Sequence, residues 1–209
     1  MNFPVSRPAS IDDLPSLIAG IIALVCNWAV AGEIAIDQIP EEVRIFVESG
    51  TLPIALEKAD LNGDGREDFI MVLEPLRSDP TVLNEARRPL LILVRESDDR
   101  LKLAKRNDRI VYCAACGGVM GDPFLGVEVG LKTFEVSHYG GSVDRWGIDY
   151  RFNYSRRDDT WQLVRVKEYS FDAFEPDKET TEIYTPPKDY GKIDIADFDP
   201  DEWKGRGEK

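Results

Sequence analysis

The segment Gly147-Ile-Asp-Tyr-Arg-Phe-Asn-Tyr154 alternates apolar and polar side chains without a break. Successive side chains of a strand point to opposite faces, so this spacing predicts a strand with Ile148, Tyr150, Phe152 and Tyr154 on one buried face. Similar strand signals recur in pairs separated by turn chemistry. Residues 53–58 and 69–73 form one expected hairpin, and 90–95 with 101–105 a second, across Ser97-Asp-Asp-Arg100. Residues 110–113 read as a short strand of their own. Residues 126–129 and 133–139 pair across Gly130-Leu-Lys132, and 148–155 with 161–169 across Arg156-Arg-Asp-Asp159. Only 40–48 has a helical pattern: Pro40 in the first turn, acids after it, Val43, Phe46 and Val47 on one side, and Gly50 to end it. The expected fold is mainly β, an antiparallel meander forming a sandwich or part of a propeller, with one short N-terminal helix.

Between the first two strands lies Asp60-Leu-Asn-Gly-Asp-Gly-Arg-Glu-Asp-Phe-Ile70. Asp60, Asn62, Asp64 and Asp68 stand at positions 1, 3, 5 and 9 of a calcium loop, and Arg66 at position 7 offers its backbone carbonyl. Gly65 allows the sharp bend. Calcium takes six to eight hard oxygens, which carboxylates at alternate positions of a tight turn supply. Position 12, where an EF-hand carries Glu, is Met71 inside an apolar strand run. The stretch instead resembles the Asp-rich loops of integrin-type FG-GAP and VCBS repeats, in which the loop leads into a strand. The competing expectation is an Asx-rich turn that binds nothing. The motif occurs once, so the chain is not a repeat array.

A formal charge of −13 argues against nucleic acid, which needs a basic face, and favours cations or a basic protein partner. Residues 17–30 are apolar apart from Gly20 and Asn27, and Ala29-Val-Ala31 matches a small-x-small cleavage site, so 1–31 reads as an export signal. About 14 apolar residues are few for a bilayer span. Lipidation at Cys26 and a buried N-terminal helix are the alternatives. With the signal removed, Cys113 and Cys116 are the remaining cysteines. In the oxidising periplasm or outside the cell they are expected to form a small-loop disulfide; a redox-active C-x-x-C is the alternative. The expected division is a signal over 1–31, a calcium-binding β domain over 32–175 and an acidic C-terminal segment over 176–209. That last segment is either mobile or docked through its scattered apolar residues as a final edge.

No hydrolase, nucleotide or zinc signature is present. Ser142 has His138 and Asp144 nearby in sequence, but that spacing does not build a triad. The expected recognition loop is His138, Tyr139, Gly140, Gly141, Ser142, Arg145 and Trp146, because Tyr, Trp and Arg are enriched at interface hot spots and the glycines permit close approach. The alternative is a wide hairpin turn with Trp146 on the core. Cys116-Gly-Gly-Val-Met-Gly-Asp-Pro-Phe124 is a second candidate, being clamped and cheap in entropy to present.

The motifs Arg106-Asn-Asp, Cys-x-x-Cys-Gly-Gly-Val-Met-Gly-Asp-Pro-Phe124, His138-Tyr-Gly-Gly-Ser142, Arg145-Trp146 and Asp189-Tyr-Gly-Lys, with Phe198, resemble a group of exported bacterial proteins, often lipoproteins. These carry one Asp-rich loop before a β domain. The layout is similar to periplasmic immunity proteins and lysozyme inhibitors, which insert a Gly/Ser-bearing loop into an enzyme cleft. The resemblance implies a non-enzymatic periplasmic or secreted binder of a basic cell-wall hydrolase, with His138, Tyr139, Ser142 and Arg145 reaching the enzyme's carboxylates. The alternative is a calcium-stabilised envelope module, with Trp146, Trp161 and Tyr154 as a sugar platform.

Overall fold

The structure, a computed structural model, describes residues 34–77 and 85–204. The expected signal over 1–31, with Cys26, lies outside them. Nine strands among the described residues form two antiparallel sheets. The first holds β1 (Thr51–Ala59), β2 (Asp68–Pro75), β3 (Arg88–Arg95) and β4 (Leu101–Val111) in that order. The second holds β5 (Phe124–Gly130), β6 (Thr133–Gly141), β7 (Asp144–Ser155), β8 (Thr160–Asp172) and β9 (Thr180–Tyr184), again in chain order. Each sheet is a meander, as the local hairpin signals require.

The sheets share one core. Ile70, Val72, Leu90, Ile92 and Ile110 of the first pack with Val136, Tyr150, Phe152, Leu163 and Val166 of the second. Ile148, Tyr150 and Phe152 are buried as the alternation demands, while Tyr154 is half-buried against Trp161, ring centroids 5.2 Å apart. The outer face of the first sheet is covered too. Phe69, Met71, Leu73, Leu91 and Leu93 pack with Ile39, Val43, Phe46 and Val47. Strands β2 and β3 are therefore buried on both faces, which explains their unbroken apolar runs. The N-terminal helix α1 is Glu41–Arg44, shorter than the expected 40–48. Once Val43 is seated the chain must swing through Gly50, at φ +80°, into β1, and Ile45 is left facing solvent.

One expectation needs correcting, and one pair of alternatives is decided for docking. Residues 110–113 are not a separate strand: Ile110 and Val111 end the eleven-residue β4. The segment after 175 is docked as far as Lys204. It adds β9, then buries Tyr190, Ile193, Ile195, Phe198 and Trp203 in the main core. Asn107, 2% exposed, holds it: its side-chain N–H groups donate to the carbonyls of Ile195 (2.6 Å) and Phe198 (2.8 Å). Its oxygen accepts from the backbone of Arg109 and Ile110.

Candidate functional site

The Asp-rich loop is the tip of the β1–β2 hairpin. Asp60 accepts the backbone N–H groups of Gly63 (2.6 Å), Asp64 (3.1 Å) and Gly65 (2.9 Å). Asn62 accepts from Asp64 N–H, and Asp64 accepts from the backbone and guanidinium of Arg66. Asp68 is fully buried and accepts the N–H groups of Leu61 and Arg95, both at 2.9 Å. Burial pushes the Asp68 carboxyl up, and the negative charges of Asp64 and Asp60 add to that against the two N–H donors. Three carboxylates thus feel one another in a tight turn. Each oxygen that takes one N–H still has a lone pair for a cation. As arranged, Arg66 occupies Asp64, and no group of three or more acidic, His or Cys side chains among the described residues is gathered closely enough to hold a metal.

At the far end of the second sheet, the β6–β7 hairpin is tighter than expected: β6 runs to Gly141 and β7 restarts at Asp144, leaving Ser142 and Val143 as the turn. The structure bonds this turn to the disulfide loop. Cys113 and Cys116 are joined. Gly141 N–H donates to the Gly117 carbonyl at 2.9 Å, and Gly118 and Gly141 form a parallel bridge. Gly140 is indispensable here, because a Cβ would sit 2.6 Å from the Trp146 ring and 3.0 Å from the Gly117 Cα. The β8 end joins through Ala173 N–H, which donates to the Val143 carbonyl at 2.8 Å. Three turns therefore converge. They carry apolar side chains in solvent: Val119 82% exposed, Met120 45%, Val143 44% and Phe174 82%.

The expected recognition residues divide between surface and interior. Ser142 is exposed; Tyr139, Gly141, Arg145 and Trp146 are half-buried; His138 and Gly140 are buried. His138 is completely enclosed, so it is a core residue and not a contact for a partner. Strand alternation puts it on the inward face with Phe134 and Val136. It stacks on Tyr112, ring centroids 4.4 Å apart, and its Nε2 accepts the Tyr112 N–H at 3.3 Å, while Nδ1 has no partner. Burial, with the Arg88 charge adding to it, pulls its pKa down to about 3, so it is neutral. The expected sugar platform is also not assembled. Trp161 is 2% exposed with its indole N–H on the Leu61 carbonyl, and Trp146 lines a different cleft from Tyr154 and Trp161.

Sequence reasoning did not single out Arg88. It is 2% exposed, and its guanidinium bonds Glu74, both oxygens of Asp122 and the Tyr112 carbonyl. It ties the base of the disulfide loop to the first sheet. Burial works against its charge, but Asp122 and Glu74 outweigh it and hold its pKa above the ordinary value. A charged residue just before the apolar run Pro89-Leu-Leu-Ile-Leu93 was the available signal.

No protein-family model, curated protein or solved structure matches this chain.

Proposed function

We propose that this is a non-enzymatic binding protein of the bacterial periplasm or exterior, acting as an inhibitor or immunity protein against a basic, lysozyme-like cell-wall hydrolase. The observation that carries the binding role is the convergence of three turns, bonded backbone to backbone, that present Val119, Met120, Val143 and Phe174 to water. Exposed apolar groups gathered on a rigid end are what a recognition surface requires, and the disulfide limits the ordering entropy lost on binding. The same disulfide favours an oxidising compartment. A net charge of −13 steers the protein toward a basic partner. Relative to the loop expected from sequence, the contact surface moves outward: Ser142 stays in it, and His138 supports it from below.

The test is titration of a basic lysozyme-like hydrolase into the protein by calorimetry, with hydrolase activity read in parallel. Val119→Asp with Val143→Asp is expected to weaken binding at least about tenfold while leaving the melting temperature unchanged, since the loss of one apolar anchor costs on the order of 1–2 kcal/mol. Undiminished binding by the double variant would place the surface elsewhere.

Calcium belongs to the proposal as a stabiliser of the Asp60–Asp68 turn. The ion would take oxygens from Asp60, Asn62, Asp64 and Asp68 and the Arg66 carbonyl, displacing the Arg66 guanidinium from Asp64. At a hundredfold excess over Kd, binding adds about 2.7 kcal/mol of stability, or roughly 5–10 °C in melting temperature. Melting curves in calcium and in chelator check this. Coincident curves would leave the loop as an Asx-rich turn held by its own amides.

A further inference from the structure

The inward face of the second sheet changes character along its length. Directly opposed residues run Tyr150–Val166–Tyr184, then Ile148–Glu168–Glu182, then Trp146–Ser170–Thr180 across β7, β8 and β9. The first row is roofed by Phe198, which packs on Tyr150 at 4.8 Å, and by Trp203, which packs on Tyr184 at 5.0 Å. Beyond it the face opens into a cleft of about 480 Å³, with Tyr112, Trp146 and Ile148 beside Glu168 and Glu182.

Two carboxylates directly opposite each other on antiparallel neighbours repel. One of them is answered from within the chain. Lys204 Nζ lies 3.0 Å from Glu168 and over the rings of Tyr184 (4.7 Å) and Trp203 (5.3 Å). Glu182 receives the Tyr184 hydroxyl but makes no ion pair among the described residues. The field at the cleft is negative beyond this pair. Burial pushes the Tyr112 hydroxyl up against its bond to Tyr150, and the charges of Asp201, Glu168 and Asp199 push it further. Lys204 reaches Glu182 only through the Tyr184 hydroxyl, at 3.4 Å, so the exposed Glu182 carboxylate is open to a cation from outside, and Trp146 offers a half-buried indole in the same cleft.

We infer that this cleft receives an arginine side chain projecting from a basic partner protein, its guanidinium paired with Glu182 and lying against the Trp146 indole. The shape of the group decides between cations. A guanidinium is planar, is weakly hydrated, stacks on an indole and presents a fork of donors to a carboxylate; an ammonium is a hydrated point charge. This assignment rests on the proposed role as a binder of a basic hydrolase, and it adds a specific anchor beside the apolar turns.

The experiment uses the full chain and two ligands. In the first arm, Nα-acetyl-arginine amide and its neutral isostere Nα-acetyl-citrulline amide are titrated while the Trp146 indole N–H is followed by NMR. Arginine amide is expected to shift that resonance in the millimolar range. Citrulline amide should bind at least about tenfold more weakly, and Glu182→Gln should cost arginine amide about the same factor. Equal binding of the two amides, or no loss in Glu182→Gln, overturns the assignment. In the second arm the basic hydrolase is titrated against wild type and Glu182→Gln. If it binds both equally, the cleft is not its anchor, and the inference falls while the proposed function stands. If arginine amide binds as described and no hydrolase binds at all, guanidinium recognition stands and the hydrolase role falls.

Discussion

Arg88→Met is expected to lower the unfolding free energy by about 3–5 kcal/mol, the cost of breaking a buried charge cluster by removing one member. The side chain is 2% exposed and bonded to Glu74, Asp122 and the Tyr112 carbonyl, so its removal takes a charged donor from three acceptors, of which Asp122 keeps the Phe124 N–H. They are not equivalent. Asp122 is 40% exposed on its side chain and can turn to water, whereas Glu74 is at 16%. Burial already pushes the Glu74 carboxyl up with Arg88 beside it. The larger share of the loss therefore lies with Glu74, and Glu74→Met combined with Arg88→Met should recover most of it, because a buried pair replaced by packed apolar groups is often neutral. Denaturant unfolding of the two variants checks both statements. A loss below about 1 kcal/mol in the single variant would reduce the cluster to an ordinary surface ion pair. Since Arg88 also fixes Asp122 and Tyr112 at the base of the disulfide loop, the single variant should bind a partner more weakly even where it is fully folded.

The hairpins could be read because each carries its own turn and its own alternation within about twenty residues. What could not be read depends on contacts far apart in the chain. The stretch Arg106-Asn-Asp-Arg109 looks like a polar break, yet it is strand, because Asn107 turns inward to bind carbonyls 88 and 91 residues away. The acidic tail hides its apolar residues in the same manner. Ile195 is held by its N–H on the Trp161 carbonyl, not by a repeating pattern, so no periodicity announces it. His138 is a different case. Phe134, Val136 and His138 step by two toward Gly140, which is a sufficient signal for an inward histidine. The aromatic and glycine composition suggested a loop, whereas the alternation continues to Gly140 and leaves only two residues for the turn. The two candidate recognition segments were each visible in the sequence; that Gly118 and Gly141 would join them was not.

Acid is expected to destabilise the wild-type protein relative to His138→Phe, beginning near pH 6.5. A histidine released by unfolding titrates near 6.5, whereas the enclosed one is pulled down to about 3 by burial and the Arg88 charge. Between those values the unfolded chain binds a proton that the folded chain refuses, so stability falls as pH falls, by about 1.4 kcal/mol per unit. The accumulated difference is on the order of 4 kcal/mol by pH 3. A pH profile of the wild type alone would blur this. Burial raises the carboxyls of Asp68, Glu74 and Asp149, and groups shifted upward favour the folded state in acid. The difference between wild type and His138→Phe cancels them. The variant also leaves the Tyr112 N–H without its acceptor, at a cost of about 1–3 kcal/mol that does not vary with pH. Unfolding free energies of the pair at pH 7, 6, 5 and 4 should thus show a constant offset with a slope on top of it. A difference independent of pH would mean that His138 takes up its proton inside the folded protein.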